Sequence, residues 1–315
     1  MDLKLPNALA GSVFDMSQTV HVPVMLEPCL EALAVHSNGC YVDGTLGGGS
    51  HTAAILEKSA PKGRVWSFDV NPKALQAADK RFAPEKKTKR WAGIEANFRK
   101  MDQVAQEQQL PPMDGILLDL GLSSDELQDP EKGLSFQVDG PLDMRLGQAS
   151  NEDGLTAQEI VNTWSEAELR ELIRDIGEER MAGRIATAIV RARKGHPITR
   201  TLELADIIVA AVPRGYERGR IHPATRTFQA LRIAVNDELG ALSSAIQAAW
   251  NILKVDGTLA ILSFHSLEDR IVKFALREAQ WKALTKRPLA PSDEEIARNP
   301  RARSAKLRAA RKVLT

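Results

Sequence analysis

The chain has 315 residues, a formal net charge of +1 and two cysteines, Cys29 and Cys40. Its hydrophobic content of 43% and charged content of 26% exclude a disordered or fibrous chain, and two cysteines exclude a disulfide framework and a four-thiolate zinc site. No apolar run approaches the ~20 residues of a membrane span, and residues 1–15 lack a signal-peptide pattern. We therefore expect a cytoplasmic protein with no membrane partner.

The positive charge is concentrated in two parts of the chain. Residues 184–232 and residues 281–315 each contain ten Arg or Lys against three acids. Segregated positive charge indicates a polyanionic partner such as nucleic acid. Two solvated helical faces would produce the same pattern.

The first predicted helix and strand precede a glycine-rich turn. Residues 1–20 are polar and aperiodic, which predicts a flexible N-terminal extension. Residues 27–34 are predicted to form a helix before the first strand. From Cys40 to Asp69 the pattern is strand, glycine-rich turn, helix over 52–58, and a buried strand over 64–68 that ends in a carboxylate. This unit is typical of nucleotide-binding folds.

The turn contains four glycines, at positions 44, 47, 48 and 49. Glycines let backbone amides approach a ligand, and Asp69 follows Gly49 by 20 residues, where an acid of a nucleotide fold reaches ribose hydroxyls. Asp43 would repel the pyrophosphate of NAD, but its carboxylate can accept hydrogen bonds from the ammonium of S-adenosylmethionine. The pattern therefore favours S-adenosylmethionine, with an NAD-dependent oxidoreductase as the alternative from pattern alone.

Further strands and helices alternate up to Ser124. The sequence predicts a helix over 71–78, a charged loop over 86–89, a strand or loop over 91–97, a helix over 104–109 and an apolar strand over 115–120 that contains Asp119. Alternating strands and helices predict a parallel sheet whose ligands lie at the carboxyl ends of its strands.

The alternation stops after Ser124 and returns near residue 226. Residues 128–225 contain helical patterns and no convincing strand, so we predict an inserted all-α domain for substrate recognition. A long helix over 226–254, a buried strand over 258–264, a helix over 267–279 and a basic tail follow. We therefore assign residues 21–127 and 226–315 to one α/β domain.

Several side chains are candidates for chemistry. Asp119 ends a strand, where a carboxylate can accept hydrogen bonds from an exocyclic amine. Residues 139–145 place Asp143 and Arg145 around a Gly-Pro turn that is equally compatible with a structural role. His265, with Ser263 and Ser266, follows the late strand, although a histidine in that place is more often a helix cap than an acid or base. The six histidines show no metal-ligand spacing, so we predict no metal.

Several long motifs in one order closely resemble the bacterial 16S rRNA cytosine-N4 methyltransferases, the RsmH or MraW family. The similar segments are residues 21–24 (His-Val-Pro-Val), 43–45 (Asp-Gly-Thr), 116–121 (Ile-Leu-Leu-Asp-Leu-Gly), 139–145 (Asp-Gly-Pro-Leu-Asp-Met-Arg), 177–180 (Gly-Glu-Glu-Arg), 222–230 (His-Pro-Ala-Thr-Arg-Thr-Phe-Gln-Ala), 263–270 (Ser-Phe-His-Ser-Leu-Glu-Asp-Arg) and 299–304 (Asn-Pro-Arg-Ala-Arg-Ser). Together they cover most of residues 21–310.

The resemblance implies a Rossmann-like class I methyltransferase sheet with an inserted all-α domain. It implies methylation, with S-adenosylmethionine, of N4 of a cytidine in the decoding region of 16S rRNA, so the expected partner is the small ribosomal subunit. Carried over position by position, the family's cofactor contacts fall on Gly49, Ser50, His51, Asp69, Phe98, Asp119 and Glu126. The chain departs from the family at Ser50, where glycine is common, and at Glu126, where glutamine is common.

Asp119 is our first candidate for positioning the cytosine amine, and Asp143 and His265 are further candidates for orienting the base or receiving its proton. We expect cations around Arg226 and within residues 301–311 to bind RNA. Two rivals remain open. One is a non-catalytic rRNA-binding assembly factor, and the other is a DNA cytosine-N4 methyltransferase, whose Pro-Pro-aromatic motif does not follow Asp119 here.

Overall fold

A computed structural model describes residues 23–147, 153–216 and 221–314. The predicted N-terminal extension, residues 1–20, lies outside the described residues. The strands are β1 (Cys40–Asp43), β2 (Arg64–Asp69), β3 (Trp91–Glu95), β4 (Met113–Asp119), β5 (Leu253–Ser263), β6 (Trp281–Ala283) and β7 (Lys306–Lys312). The helices are α1 (Leu26–Ala32), α2 (Ser50–Lys58), α3 (Pro72–Arg81), α4 (Ala83–Lys87), α5 (Met101–Glu107), α6 (Ser124–Gln128), α7 (Ala157–Thr163), α8 (Glu166–Glu171), α9 (Ala182–Ala192), α10 (Thr201–Ala211), α11 (Thr225–Asn236), α12 (Glu238–Ile252), α13 (Ser266–Ala275) and α14 (Asp293–Arg298).

The seven strands form one sheet in the order β3-β2-β1-β4-β5-β7-β6. The first five strands of this order are parallel to their neighbours, whereas β7 runs antiparallel to both β5 and β6. The predicted Rossmann-like α/β sheet is therefore confirmed. Because parallel strands end at the same edge, the segments that follow β1, β2, β4 and β5 meet there.

Apolar residues cover both faces of the sheet because successive side chains of a strand point to opposite sides. Val42 and Ile116 belong to the cluster that includes α12, whereas their neighbours Tyr41 and Leu117 belong to the cluster that includes α1 and α2. Burial on both faces explains why the strands read as continuous apolar runs in the sequence.

Among the described segments, we find no helix with the length and apolar character that a membrane span requires.

The segment between β4 and β5 has an apolar cluster of its own. Its buried members run from Leu134 to Val235 and come from α7 to α11, from the turns between these helices and from the segment before α7. In α9, Ile185 and Ile189 are fully buried, and the opposite face carries exposed polar residues. This amphipathic pattern packs α9 against α8 and α10.

The predicted long helix over 226–254 is wrong in one respect, because the structure divides it into α11 and α12 at Asp237. Asp237 has a left-handed backbone conformation, with φ of 46°, which an α-helix cannot continue through. Just before it, the Asn236 side chain accepts a hydrogen bond from Leu146 N–H at 2.9 Å and donates one to the Met144 carbonyl at 2.8 Å. The break thus orients the helical segment toward the sheet.

The predicted basic tail contains a strand that completes the sheet. Lys306 and Arg308 of β7 pair with Asp269 at 3.1 and 2.7 Å, and the Lys312 ammonium donates to the carbonyl oxygens of Trp250 and Leu253. Our expectation that cations within residues 301–311 bind RNA stays a prediction, and Lys306 and Arg308 already have an intramolecular acceptor in Asp269.

The position of β7 predicts a strong dependence of stability on Leu307, which is 1% exposed. Leu307→Ala should lower the free energy of unfolding by about 2 to 5 kcal/mol through lost burial and a residual cavity, measured by urea denaturation. Leu314→Ala is the matched control, because Leu314 is 81% exposed and its loss should change stability by less than about 0.5 kcal/mol. Equal effects would contradict the assignment of β7 to the sheet.

Candidate active site

Three carboxylates end three neighbouring strands at one edge of the sheet. Asp43 ends β1, Asp69 ends β2 and Asp119 ends β4, and β1 lies between the other two. The glycine-rich turn after β1 runs between them. This edge is where an open parallel sheet binds its ligand.

Backbone amides attach the turn to all three strands. Gly44 N–H donates to the Leu117 carbonyl of β4 at 2.8 Å, and Gly47 N–H donates to Asp69 Oδ2 at 2.9 Å. Gly47 and Gly49 have φ of 48° and 73°, a left-handed conformation that favours glycine. At Gly44 a Cβ atom would lie 2.4 Å from the Leu118 side chain and 3.3 Å from Phe98 Cβ. The glycines therefore fit the turn to the carboxylates.

Asp43 is fully buried and holds the turn in place. Its Oδ1 accepts a hydrogen bond from Thr45 N–H at 3.2 Å, and its Oδ2 accepts one from the Thr52 hydroxyl at 2.7 Å. Burial raises the pKa of Asp43, and the charge of His51 and these hydrogen bonds oppose that increase. We predicted that Asp43 accepts hydrogen bonds from a ligand ammonium, but in the structure both oxygens accept bonds from the protein.

Asp119 retains an accessible surface beside Asp43. Its side chain is 18% exposed, and its Oδ2 lies 3.6 Å from His51 Nδ1, while its backbone N–H donates to the Thr45 hydroxyl at 2.7 Å. Burial first, and then the charges of Asp43 and Glu268, raise the pKa of Asp119 to about 8. A carboxyl group in this state gains most from a nearby positive charge, which would let it ionise.

Asp69 is also perturbed, although less strongly. Burial raises its pKa to about 6, and the hydrogen bonds from Asn71 N–H and Gly47 N–H oppose the increase. The carboxylate of Glu126 contributes to the increase, which places Glu126 on the same side of the site. Asp69, Asp119 and Glu126 thus place carboxyl oxygens on one side of the site.

Glu126, where the family commonly has glutamine, is paired with a cation that the sequence analysis missed. Its Oε1 lies 3.0 Å from the ammonium of Lys132, which also donates to the Leu146 carbonyl at 2.9 Å. Its Oε2 accepts hydrogen bonds from the backbone and hydroxyl of Ser123. Lys132 therefore compensates for the charge that the substitution introduces.

The other predicted cofactor contacts lie close to the turn. Gly49 precedes α2, and Ser50 and His51 are its first two residues. His51 is buried and faces Asp119, whereas Ser50 and Phe98 are partly exposed. The structure therefore brings together all seven residues that the family resemblance implies for the cofactor: Gly49, Ser50, His51, Asp69, Phe98, Asp119 and Glu126.

His265 has a structural contact. It precedes α13 and caps it, because its Nδ1 accepts a hydrogen bond from Glu268 N–H at 3.4 Å, while Nε2 lies 3.1 Å from Glu268 Oε1. Ligand atoms of Glu238, His265 and Glu268 lie within 4.8 Å of one another. Arg232 already provides a positive charge there, since its guanidinium pairs with both oxygens of Glu238 at 2.7 and 2.8 Å.

Two further predicted residues are held by protein contacts. Asp143 accepts two hydrogen bonds from the Arg145 guanidinium, at 2.7 and 2.6 Å, which lowers the pKa of Asp143 against the effect of burial. Ser263 is buried and its hydroxyl donates to the Lys306 carbonyl at 3.4 Å. Unlike Asp119, neither residue is linked to the turn by a described hydrogen bond.

Sequence reasoning missed residues that support the site. Thr45 binds Asp119 and Asp43, Thr52 binds Asp43, and Ser67 links the Thr52 hydroxyl to the indole N–H of Trp91. Small hydroxyl residues at strand ends and on the first helical turn were the available signal. Lys132 had no such signal, because its pairing with Glu126 depends on the path of the chain after α6.

The raised pKa of Asp119 predicts a pH dependence of stability. A carboxyl group whose pKa is raised to about 8 in the folded state holds a proton that the unfolded chain releases near pH 4, so it lowers stability as the pH rises between these values. Between pH 5 and pH 8, Asp119→Asn should therefore gain about 1 to 3 kcal/mol of unfolding free energy relative to wild type. Asp293→Asn changes an exposed site, so its unfolding free energy should change with pH in the same way as that of wild type.

Urea denaturation at several pH values measures these unfolding free energies. If the values for Asp119→Asn and wild type changed in parallel across this pH range, the assignment of the raised pKa to Asp119 would be contradicted.

Comparison with known proteins identifies the family. Residues 18–313 match the model of the MraW methylase family. The chain is 47% identical over 313 residues to ribosomal RNA small subunit methyltransferase H of Heliobacterium modesticaldum, covering 93% of this chain and 98% of the relative. It is 45% identical over 312 residues to the protein of the same name from Syntrophus aciditrophicus, with the same two coverages. The chain therefore belongs to the MraW methylase family.

Proposed function

We propose that this protein transfers a methyl group from S-adenosylmethionine to N4 of a cytidine in the decoding region of 16S rRNA, in the small ribosomal subunit. The observation that carries the proposal is the crowding of Asp43, Asp69 and Asp119 around a glycine-rich turn, in a chain of the MraW methylase family. The relatives named above are small-subunit rRNA methyltransferases. A ribosomal RNA substrate is consistent with a cytoplasmic location.

The residues of the site fit a cationic cofactor. Carboxyl groups with pKa values raised to about 6 and about 8 would be stabilised in their ionised form by a sulfonium or ammonium group nearby. Asp69 and Asp119 would hold the cofactor, and the backbone of Gly49 and Ser50 would line it. The cofactor supplies an electrophilic methyl group. Asp43, at the end of β1, would repel the pyrophosphate of NAD, which argues against the oxidoreductase alternative.

The protein's contribution is then one of alignment. Cytosine N4 is a weak nucleophile because its lone pair is delocalised into the ring, so its orientation governs the rate. We assign to the ionised Asp119 carboxylate the acceptance of a hydrogen bond from the N4 amino group. Asp119 is held by its backbone bond to Thr45 and by the proximity of His51. Asp143 and His265 remain candidates for orienting the base. In the structure Asp143 contacts Arg145, and His265 contacts Glu268.

The main experiment is incubation of the protein with methyl-labelled S-adenosylmethionine and small subunits that lack the modification, followed by nucleoside mapping. We expect label in N4-methylcytidine at one position of the decoding region. Label in another nucleoside would contradict the N4 assignment. Cofactor binding without any transfer would favour the non-catalytic assembly factor, and transfer to DNA alone would favour the DNA methyltransferase.

Asp69 and Asp119 should differ in their effects on binding and turnover. Asp69→Asn should raise the dissociation constant for S-adenosylmethionine about 10- to 100-fold, because a hydrogen bond to an ionised carboxylate contributes about 1.5 to 3 kcal/mol. Asp119→Asn should in addition lower kcat about 100-fold or more at saturating cofactor, because an amide is a weaker acceptor. Calorimetry and single-turnover methylation separate the two effects.

Asp293→Asn again serves as the control and should match wild type in both measurements. Normal cofactor affinity together with undiminished turnover in Asp119→Asn would remove Asp119 from the mechanism.

A further inference from the structure

Arg226 was our candidate for RNA binding in the helical segment, but the structure gives it an intramolecular partner. Its guanidinium lies 3.6 Å from Glu179 Oε2. Glu179 is buried and also accepts hydrogen bonds from the Tyr216 hydroxyl and from Met181 N–H. Because a buried carboxylate requires such a partner, Arg226 stabilises the fold at this point, and its binding to RNA stays a prediction.

One face of α9 carries a line of cations. Arg184 and Arg191 lie seven residues apart, two helical turns, and so project from the same side, about 10 Å apart along the axis. Arg180 before the helix and Lys194 after it extend this line, and no acid occurs between residues 180 and 194. We call Arg180, Arg184, Arg191 and Lys194 the α9 stripe.

The α9 stripe is exposed and available. All four side chains are exposed, and none forms an ion pair within 4 Å with a carboxylate of the described ranges. Thr187, which lies between the two central arginines, donates to Glu166 at 2.8 Å, which brings one acid to the edge of the stripe. Arg170 of α8 lies beside Gly183 and adds a fifth cation. Glu178 and Glu179 directly precede Arg180, so the positive charge is concentrated in the part of the stripe from Arg184 to Lys194.

The α9 stripe begins next to the catalytic edge of the sheet. Arg180 lines an open cavity of about 510 Å³ together with Arg270 of α13, and Arg174, Asp175, Glu178 and Glu179 line the same cavity. Helix α13 follows the carboxyl end of β5. Glu178, two residues before Arg180, accepts hydrogen bonds from Ser266 and Arg270. These contacts join the helical segment to α13, and α9 continues the chain from this junction.

We propose that the α9 stripe binds the phosphate backbone of the rRNA segment that flanks the target cytidine. The proposal rests on the proposed function and specifies where the protein grips its substrate. Arginine and lysine bind phosphates without reading the base sequence, and release of condensed counterions favours this binding at low salt. The stripe thus supplies affinity, while the site at the carboxyl edge of the sheet supplies the chemistry.

The test compares two pairs of substitutions that remove the same charge. Arg184→Gln with Arg191→Gln removes the centre of the stripe, and Lys58→Gln with Lys87→Gln removes two exposed charges at the ends of α2 and α4, at the opposite edge of the sheet. The readouts are the affinity for unmodified small subunits over a range of salt concentrations, the KM and kcat of methylation, and the cofactor affinity.

The salt slope is the slope of log K for subunit binding against the logarithm of the salt concentration. For the stripe pair we expect its magnitude to be about 1.4 to 1.8 smaller than for wild type, because each phosphate contact contributes about 0.7 to 0.9. KM for the subunit should rise at least about 10-fold in 0.15 M salt, with kcat, cofactor affinity and melting temperature unchanged. The control pair should match wild type in every readout.

The outcomes distinguish this inference from the proposed function. If wild type methylates the subunit and the stripe pair keeps the salt slope and KM of the control pair, the α9 stripe does not bind RNA. If wild type transfers no methyl group to the subunit, the proposed function fails. A lower kcat with an unchanged KM would also overturn the inference, because it would place the arginines in the chemical step.

Discussion

The structure depends on the electrostatic conflict among three carboxylates that end adjacent strands. Asp43 is completely buried, and its charge is one reason why the pKa of Asp119 is raised to about 8. Hydrogen bonds from the glycine-rich turn hold these groups together at an energetic cost, since each would be more stable in water. Such a site is incomplete without a positive charge, which is the physical basis for assigning it a cationic cofactor.

Polar contacts also connect the parts of the molecule that would hold the cofactor and the RNA. Lys132 links Glu126 to the Leu146 carbonyl, and a Cβ atom on Gly147 would lie 2.1 Å from the Val70 carbonyl, directly after β2. On the other side, Glu178 contacts Ser266 and Arg270. The helical segment is therefore attached to the carboxyl edge of the sheet at two separate places.

The sequence predicted the parts of the structure that depend on local pattern. Buried strands at Cys40–Asp43 and Met113–Asp119 were identifiable as apolar runs that end in carboxylates, and the glycine-rich turn between them indicated the ligand site. The parts that failed depend on contacts distant in sequence. The break at Asp237 follows from bonds to Met144 and Leu146, and charge counting could not distinguish Arg226, paired with buried Glu179, from the exposed arginines of α9.

The neighbouring positions of β4 and β5 in the sheet have a consequence for how the chain folds. These strands pair side by side, yet β4 ends at Asp119 and β5 begins at Leu253, so the whole helical segment lies between them in the chain. Pairing over such a separation has a high entropic cost and is slow unless the intervening chain is already compact. Early collapse of α7 to α11 around their own apolar cluster would bring the two strands together, so the helical segment would assist assembly of the sheet.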